Sequence, residues 1–383
     1  MKKKSLICIA VLLIIAISAM VAVSYLPENR GLTAMQKEKL ASTYSSYMSK
    51  MSGVAYVVHH EDVIFDEGSG MATGDKENSS DLAYSIASLT KQFTAACIMQ
   101  LYENGKLDIE DTLARYFPDY EYSYRIKIKH LLCQRSGIPD YSVDLVNRKA
   151  KVTCYMDNGK GVVIKKENSS KENRDIIRDY VFSQRLLFRP GDRFDYSDSN
   201  FSLLADIVEM ASGESYHDYV REHIFQPLGM ETSAFIDDND LDEDIIVQTD
   251  DSEFADDYYL YKGVEFGCGD ILSSPKDLYL WYKGFVGGKV VTRQSYDLMT
   301  KNYSDKDEQG YGFGLMISDK SDSKVVYHYG WIPSFYSAVF YIPDYDYFQL
   351  LITNRPDGDP HRMAAQMAYR FGETVELKLK DID

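Results

Sequence analysis

A serine hydroxyl becomes a nucleophile when a base lies within hydrogen-bond reach and donors await the oxyanion that develops on the attacked carbonyl. Ser88-Leu89-Thr90-Lys91 supplies a hydroxyl and an amine three residues apart, which on a helix puts both side chains on one face, one turn apart. The positive end of that helix would favour negative charge on the serine oxygen. The same spacing occurs at Ser273–Lys276 and Ser321–Lys324, but neither opens an amphipathic helix. Pro275 suggests a turn or a helix start, and Ser321-Asp322-Ser323-Lys324 reads as a polar hairpin turn. On spacing alone, a capping serine beside a solvated lysine fits Ser88 and Lys91 equally well.

The segments around this pair predict how it is held. Leu89, Phe93, Ala96, Cys97 and Leu101 recur at helical spacing between Ser88 and about Asn104, and Gly105 supplies a C-terminal cap. Upstream, Thr33 to Met51 reads as a helix. It feeds a hairpin whose arms are Val54–Val58 and Val63–Phe65, turning at His59 to Asp62. Near the C-terminus, Val325–Tyr329, Tyr336–Ile342 and Tyr347–Thr353 are β-rich, and a helix is expected from His361 to Phe371. The long middle, to about residue 285, reads as helices and loops. Strands at both ends of a helical middle imply an α+β fold: an antiparallel β-sheet closed by both termini, flanked by helices, with a helical subdomain inserted and the site in the cleft between.

Composition bounds the class. The chain has 383 residues, 45% of them hydrophobic and 26% charged, which excludes a disordered or disulfide-stapled protein. A formal charge of −17 disfavours nucleic acid as a partner. Residues 1–30 are expected to lie outside the globule of residues 31–383. Lys2, Lys3 and Lys4 precede an apolar run over residues 5–26, long enough to cross a bilayer with the basic flank in the cytoplasm. An uncleaved anchor with an extracellular domain is favoured, while Ala22-Val23-Ser24 offers a cleavage site that would release a secreted form. The scattered Cys97, Cys133, Cys154 and Cys268 suggest free or buried thiols rather than a zinc or redox pair. Arg148–Arg174 carries eight basic and three acidic residues, and reads as a solvated loop or an anchor for an anionic wall polymer. Asp237–Asp257 carries eleven acidic residues and no basic ones, and reads as a solvated loop. It lacks the turn glycine and bidentate glutamate of a calcium loop.

From about residue 35 to 372 the chain resembles the serine β-lactamase and penicillin-binding protein superfamily, particularly its class C and D-alanyl-peptidase-like branch. Ser85-Ile86-Ala87-Ser88-Leu89-Thr90-Lys91 is similar to the first family motif, which puts the acylated serine at Ser88 and its lysine at Lys91. His130 to Tyr141 resembles a family fold marker. Tyr196-Ser197-Asp198, preceded by Pro190-Gly191, resembles the Tyr-x-Asn motif with Asp198 in place of Asn. Phe225–Met230 and Gly267–Ile271 match further landmarks, and His328-Tyr329-Gly330 stands where the family has Lys-Thr-Gly or His-x-Gly.

The resemblance implies that Ser88 attacks a carbonyl, with Lys91 and Tyr196 sharing the base role. A tyrosine ordinarily titrates near about 10, so its phenolate needs cations beside it, a role for Lys91 and His328. It also implies oxyanion donors at the backbone N–H groups of Ser88 and Trp331, with Gly330 admitting the substrate backbone. His328 would face substrate carboxylate, holding it less firmly than a lysine. Asp198 cannot donate a hydrogen bond when ionised but can attract an ammonium, which favours free-amine substrates such as D-alanyl esters on teichoic acid. The expected function is an exported, membrane-anchored serine hydrolase acting through an acyl-enzyme on cell-envelope D-alanyl peptides or esters. Its partner would be a small-molecule or cell-wall polymer substrate, and neither a metal nor an organic cofactor is implied. Two alternatives stay open: a true β-lactamase, and a catalytically silent envelope binding protein.

Overall fold

The computed structural model describes residues 31–146, 153–155, 161–242, 244–247, 261–306, 308–355 and 358–382. Helix α1 (Ala34–Met48) starts at Thr33, whose side chain and Gln36 cap each other's backbone. Strands β1 (Gly53–His59) and β2 (Asp62–Ser69) form the expected hairpin, turned through His60 and Glu61 at φ 49° and 65°. Helix α2 (Thr90–Glu103) follows a short 3₁₀ turn at Ala87–Leu89 and ends at Asn104 and Gly105. In the middle lie α3 (Asp198–Ser212) and α4 (Pro275–Val286). The C-terminal part runs through β3 (Met316–Ser318), β4 (Val325–Ile332), β5 (Phe335–Ile342), β6 (Tyr347–Thr353) and α5 (Pro360–Thr374).

Six antiparallel strands form one sheet in the order β3-β4-β5-β6-β1-β2, so the last strand pairs with the first and both ends of the chain close the sheet. The α+β expectation holds. Alternate residues of each central strand enter different cores. Val54, Tyr56, Val58, Leu350 and Ile352 face the α2 and α4 side, while Ala55, Val57, Phe340 and Leu351 face α1 and α5. Both faces are covered, which is why β5 and β6 are buried along their whole length and read as near-continuous apolar runs. Tyr44 ties the two outer helices by donating to the Met367 carbonyl at 3.0 Å.

Between β2 and β3 the described chain is mainly helical, as expected, with additions: two short hairpins, Met71–Thr73 with Lys76–Glu77 and Thr153–Tyr155 with Gly161–Val163, and a small sheet joining Tyr84–Ser85, Ile271–Ser273 and Ala234–Phe235. Its strands are two or three residues long, too short for a period-2 pattern to register. Strand β4 runs to Ile332, beyond the expected end at Tyr329, so Gly330 and Trp331 lie within the sheet. No helix among the described residues is long and apolar enough to cross a membrane. The expected anchor at residues 5–26 lies outside those residues, as do much of the basic segment and most of the acidic one. Of the acidic residues that are described, Asp238 pairs with Arg221 and Asp237 accepts the Gly263 N–H at 2.9 Å. Cys97, Cys133 and Cys268 are buried free thiols.

Candidate active site

Ser88 sits where the chain turns from the small sheet into α2. The preceding Ala87 takes φ 46°, a left-handed conformation that costs an alanine roughly 1–2 kcal/mol and sharpens the turn presenting the serine. Strand β4 crosses this turn at Gly330. A Cβ there would come 2.4 Å from Ser337 Oγ, 2.5 Å from the Ile86 carbonyl oxygen and 3.0 Å from the Ser88 nitrogen, so only glycine lets the strand approach. Ser337 on β5 fastens the contact by donating to the Ile86 carbonyl at 2.8 Å.

Lys91 is the second residue of α2, one turn past Ser88, with none of its surface exposed. Its Nζ donates to Ser88 Oγ at 2.9 Å and to the Cys268 carbonyl at 2.8 Å, and lies 2.7 Å from Asp198 Oδ1. Burial opposes the charge on Lys91, but the Asp198 carboxylate, with smaller help from Tyr196 and Cys268, outweighs it and holds the pKa well above the usual lysine value. Lys91 is therefore an ammonium at rest. Tyr196 lies beside both Lys91 and Ser88, its ring centroid 5.0 Å from Lys91 Nζ and its side chain lining the cleft with Ser88. Burial drives its phenol above the usual range, and the Lys91 charge only partly offsets this.

The loop carrying Tyr196 and Asp198 is bonded to the segment that resembled a fold marker. Gln134 accepts the Ser197 N–H at 3.1 Å, and its backbone carbonyl accepts the Asp195 N–H at 2.9 Å. Arg135 donates to the Gly191 carbonyl at 3.0 Å, and Asp140 accepts the Asp198 N–H at 3.3 Å. This segment is the platform on which the site loop rests.

The cleft over Ser88 has a volume of about 550 Å³. Tyr196, Asp198, Gly330 and Trp331 line it, and Trp331 is 55% exposed. Tyr329, Tyr336, His361 and Met316 form an aromatic and apolar wall, while Asp140 and Glu265 join Asp198 at the other end. Asp140 and Glu265, like Met316, Tyr329, Tyr336 and His361, are cleft residues that sequence reasoning left unassigned. Asp140 stood inside a quoted segment and Glu265 two residues before a quoted landmark, but no spacing signals that they converge.

His328 does not line the cleft. It is fully buried, with Nδ1 2.7 Å from the Tyr329 carbonyl and Nε2 3.1 Å from the Tyr311 hydroxyl. Burial, then the Lys91 charge, pushes its pKa down to about 3, so it is neutral, donating from Nδ1 and accepting at Nε2. The expected contact of His328 with substrate carboxylate, and its help as a cation beside Tyr196, do not fit this placement. Strand β4 is buried from Val325 to His328, so the side chain two residues before Gly330 points into the core.

The geometry can deliver a serine oxygen to a carbonyl carbon beside a fixed ammonium. A model of the beta-lactamase family matches residues 40–371. PbpX of Bacillus subtilis, a protein carrying a penicillin-binding-protein name, is 28% identical over 297 residues, covering 76% of this chain and 68% of that one. Protein flp of Staphylococcus aureus is 26% identical over 314 residues, covering 78% of this chain; the chain spans 58% of that relative's length. The D-amino acid amidase of Ochrobactrum anthropi, solved with D-phenylalanine, superposes with a TM-score of 0.70 at 19% identity, over 89% of this chain and 98% of that one. The chain belongs to the beta-lactamase family, a family of serine hydrolases that includes penicillin-binding proteins.

Proposed function

We propose that the protein is an extracytoplasmic serine hydrolase that forms an acyl-enzyme on Ser88 and acts on D-alanyl groups of the cell envelope. The observation that carries this reading is the Lys91 ammonium 2.9 Å from Ser88 Oγ, with the Tyr196 ring beside both. Ser88 Oγ bonds to the substrate carbonyl carbon and the carbonyl electrons move onto oxygen, toward the N–H groups of Ser88 and Trp331. The serine proton needs an acceptor, and a resting ammonium is not one. Lys91 becomes a base by passing a proton on, and Asp198, 2.7 Å away, is placed to receive it. Tyr196 bridges lysine and serine, and returns a proton to the leaving amine or alcohol as the carbonyl re-forms. Water then repeats the sequence on the ester and frees Ser88.

The apolar run over residues 5–26 supports tethering of the catalytic part outside the membrane, with residues 1–30 as anchor and the rest as one hydrolase domain. The D-amino acid amidase likeness supports a D-configured amino-acyl group. The test is release of D-alanine from D-alanylated teichoic acid and from a D-Ala-D-Ala peptide, by the wild type and by Ser88→Ala. Release from either that disappears in the variant supports the proposal; release from neither refutes it.

A further inference from the structure

The cleft does not end at Ser88. Strand β3 pairs only with Val325–Tyr327 of β4, so from His328 onward the outer edge of β4 carries no further strand among the described residues. The lining of the cleft crosses that edge. Gly330 meets Ser88 on the α2 side of the sheet, whereas Tyr329 and Tyr336 belong to the core on the α5 side, and Trp331, the register partner of Tyr336 on β5, shares their face. One cavity therefore joins the serine to a second surface beyond β4.

That second surface is an aromatic shelf. The His361 imidazole, from the first turn of α5, stacks on Tyr329 with ring centroids 3.6 Å apart, and Tyr329 lies 6.2 Å from Tyr336. Trp331 stands half-exposed beside them at the rim of the cavity, a large apolar face left open where a ligand can reach it. Gln309, also exposed, joins the rim; its Nε2 donates to the Tyr327 hydroxyl at 2.9 Å, and its amide can both donate to and accept from hydroxyl groups. The described lining includes no lysine or arginine, so it offers no counter-ion to an anionic group.

We propose that this shelf binds a neutral sugar ring, so that the group departing from the D-alanyl carbonyl is carried on a saccharide. This rests on the acyl-enzyme reading and deepens it. A D-alanyl group, with one methyl and one amine on its Cα, is too small to extend from Ser88 over β4, so the occupant of the shelf is the carrier that leaves. The C–H groups on one face of a pyranose carry slight positive charge and stack on the electron-rich faces of aromatic rings, while its hydroxyls meet the Gln309 amide. A plain alkyl ring satisfies only the first contact, and an acidic sugar meets no cation.

The experiment is acrylamide quenching of tryptophan fluorescence in the full chain carrying Ser88→Ala, which removes turnover. The chain has two tryptophans and Trp281 is fully buried, so the quenchable signal reports Trp331. Methyl β-D-glucopyranoside is expected to protect Trp331 saturably, and adding Gln309→Ala to weaken its binding about fivefold. Cyclohexanol and methyl β-D-glucuronide are expected to bind at least about fivefold more weakly than the glucoside. Absence of protection by the glucoside, equal protection by either comparator, or unchanged affinity in Gln309→Ala would overturn the proposal. Release of D-alanine by the wild type from the D-alanyl ester of the glucoside reads the parent proposal separately. Protection without release would remove the acyl-enzyme and leave the shelf standing; release without protection would remove the shelf and leave the acyl-enzyme.

Discussion

Asp198→Asn tests how the site keeps its lysine charged. In the folded protein the Lys91 ammonium is wholly buried and its counter-ion is the Asp198 carboxylate at 2.7 Å. Removing that charge while keeping the side-chain shape leaves a buried cation without its partner, a change that costs about 3 kcal/mol or more. Burial, the largest influence on Lys91, would then face only the smaller contributions of Tyr196, Cys268 and Tyr311 and bring its pKa below the usual value. The pH dependence reverses accordingly. In the wild type the folded pKa of Lys91 is raised, so its contribution is fully present below the unfolded value and is lost only as pH rises through the folded one. In the variant the folded pKa is depressed, and between it and the unfolded value the unfolded chain binds more protons, so stability rises with pH. The deficit should therefore be largest near neutrality, on the order of 5 °C in Tm, and shrink toward pH 10 by up to about 1.4 kcal/mol per pH unit. Melting curves of both proteins from pH 6 to pH 10 measure this. A variant within 1–2 °C of the wild type at every pH, or a deficit that does not change with pH, would refute the reasoning (roughly the resolution expected for a change below 1 kcal/mol).

Gly330→Ala should slow fluorophosphonate labelling by at least about tenfold, because the new Cβ meets the Ile86 carbonyl at 2.5 Å and displaces the Ser88 turn. Stopped-flow labelling reads it. Tyr196→Phe should lower the acylation rate by about 10²–10⁴ with little change in Tm, since the ring and its packing stay while the proton path is lost. Because His328 is neutral until about pH 3, acylation rates between pH 5 and 8 should show no histidine inflection from it. His328→Lys should lower Tm markedly by burying an ammonium that has no carboxylate partner there. Asp140, raised to about 7, binds its proton in the folded state more tightly than when unfolded, so it costs stability as pH climbs from about 4 to 7. Asp140→Asn should remove that slope in pH-dependent melting curves.

The nucleophile pair was legible because its members lie one turn apart where a 3₁₀ turn runs straight into α2: three residues fix Lys91 over Ser88 whatever the rest of the chain does. The hairpin and the closing strands were legible as near-continuous apolar, β-rich runs, and the two outer helices from buried residues recurring on one face. What could not be read depends on elements far apart in the chain. Asp198 reads as an isolated departure from a motif until α3 is brought against α2 and its carboxylate meets Lys91. Glu265 and Asp140 converge from two loops more than a hundred residues apart. His328 misled because position in a motif says which strand it occupies but not which face is buried; Tyr311 covers it only in three dimensions. The short strand Ile271–Ser273 was missed for a simpler reason, that three residues hold no period.

The central claim is that Ser88 attacks. Intact mass of the protein after incubation with a fluorophosphonate, alongside Ser88→Ala, tests it most directly. The account predicts one adduct on the wild type, mapped to Ser88, and none on the variant. A wild type that stays unmodified, or a variant that is modified as readily, would contradict it.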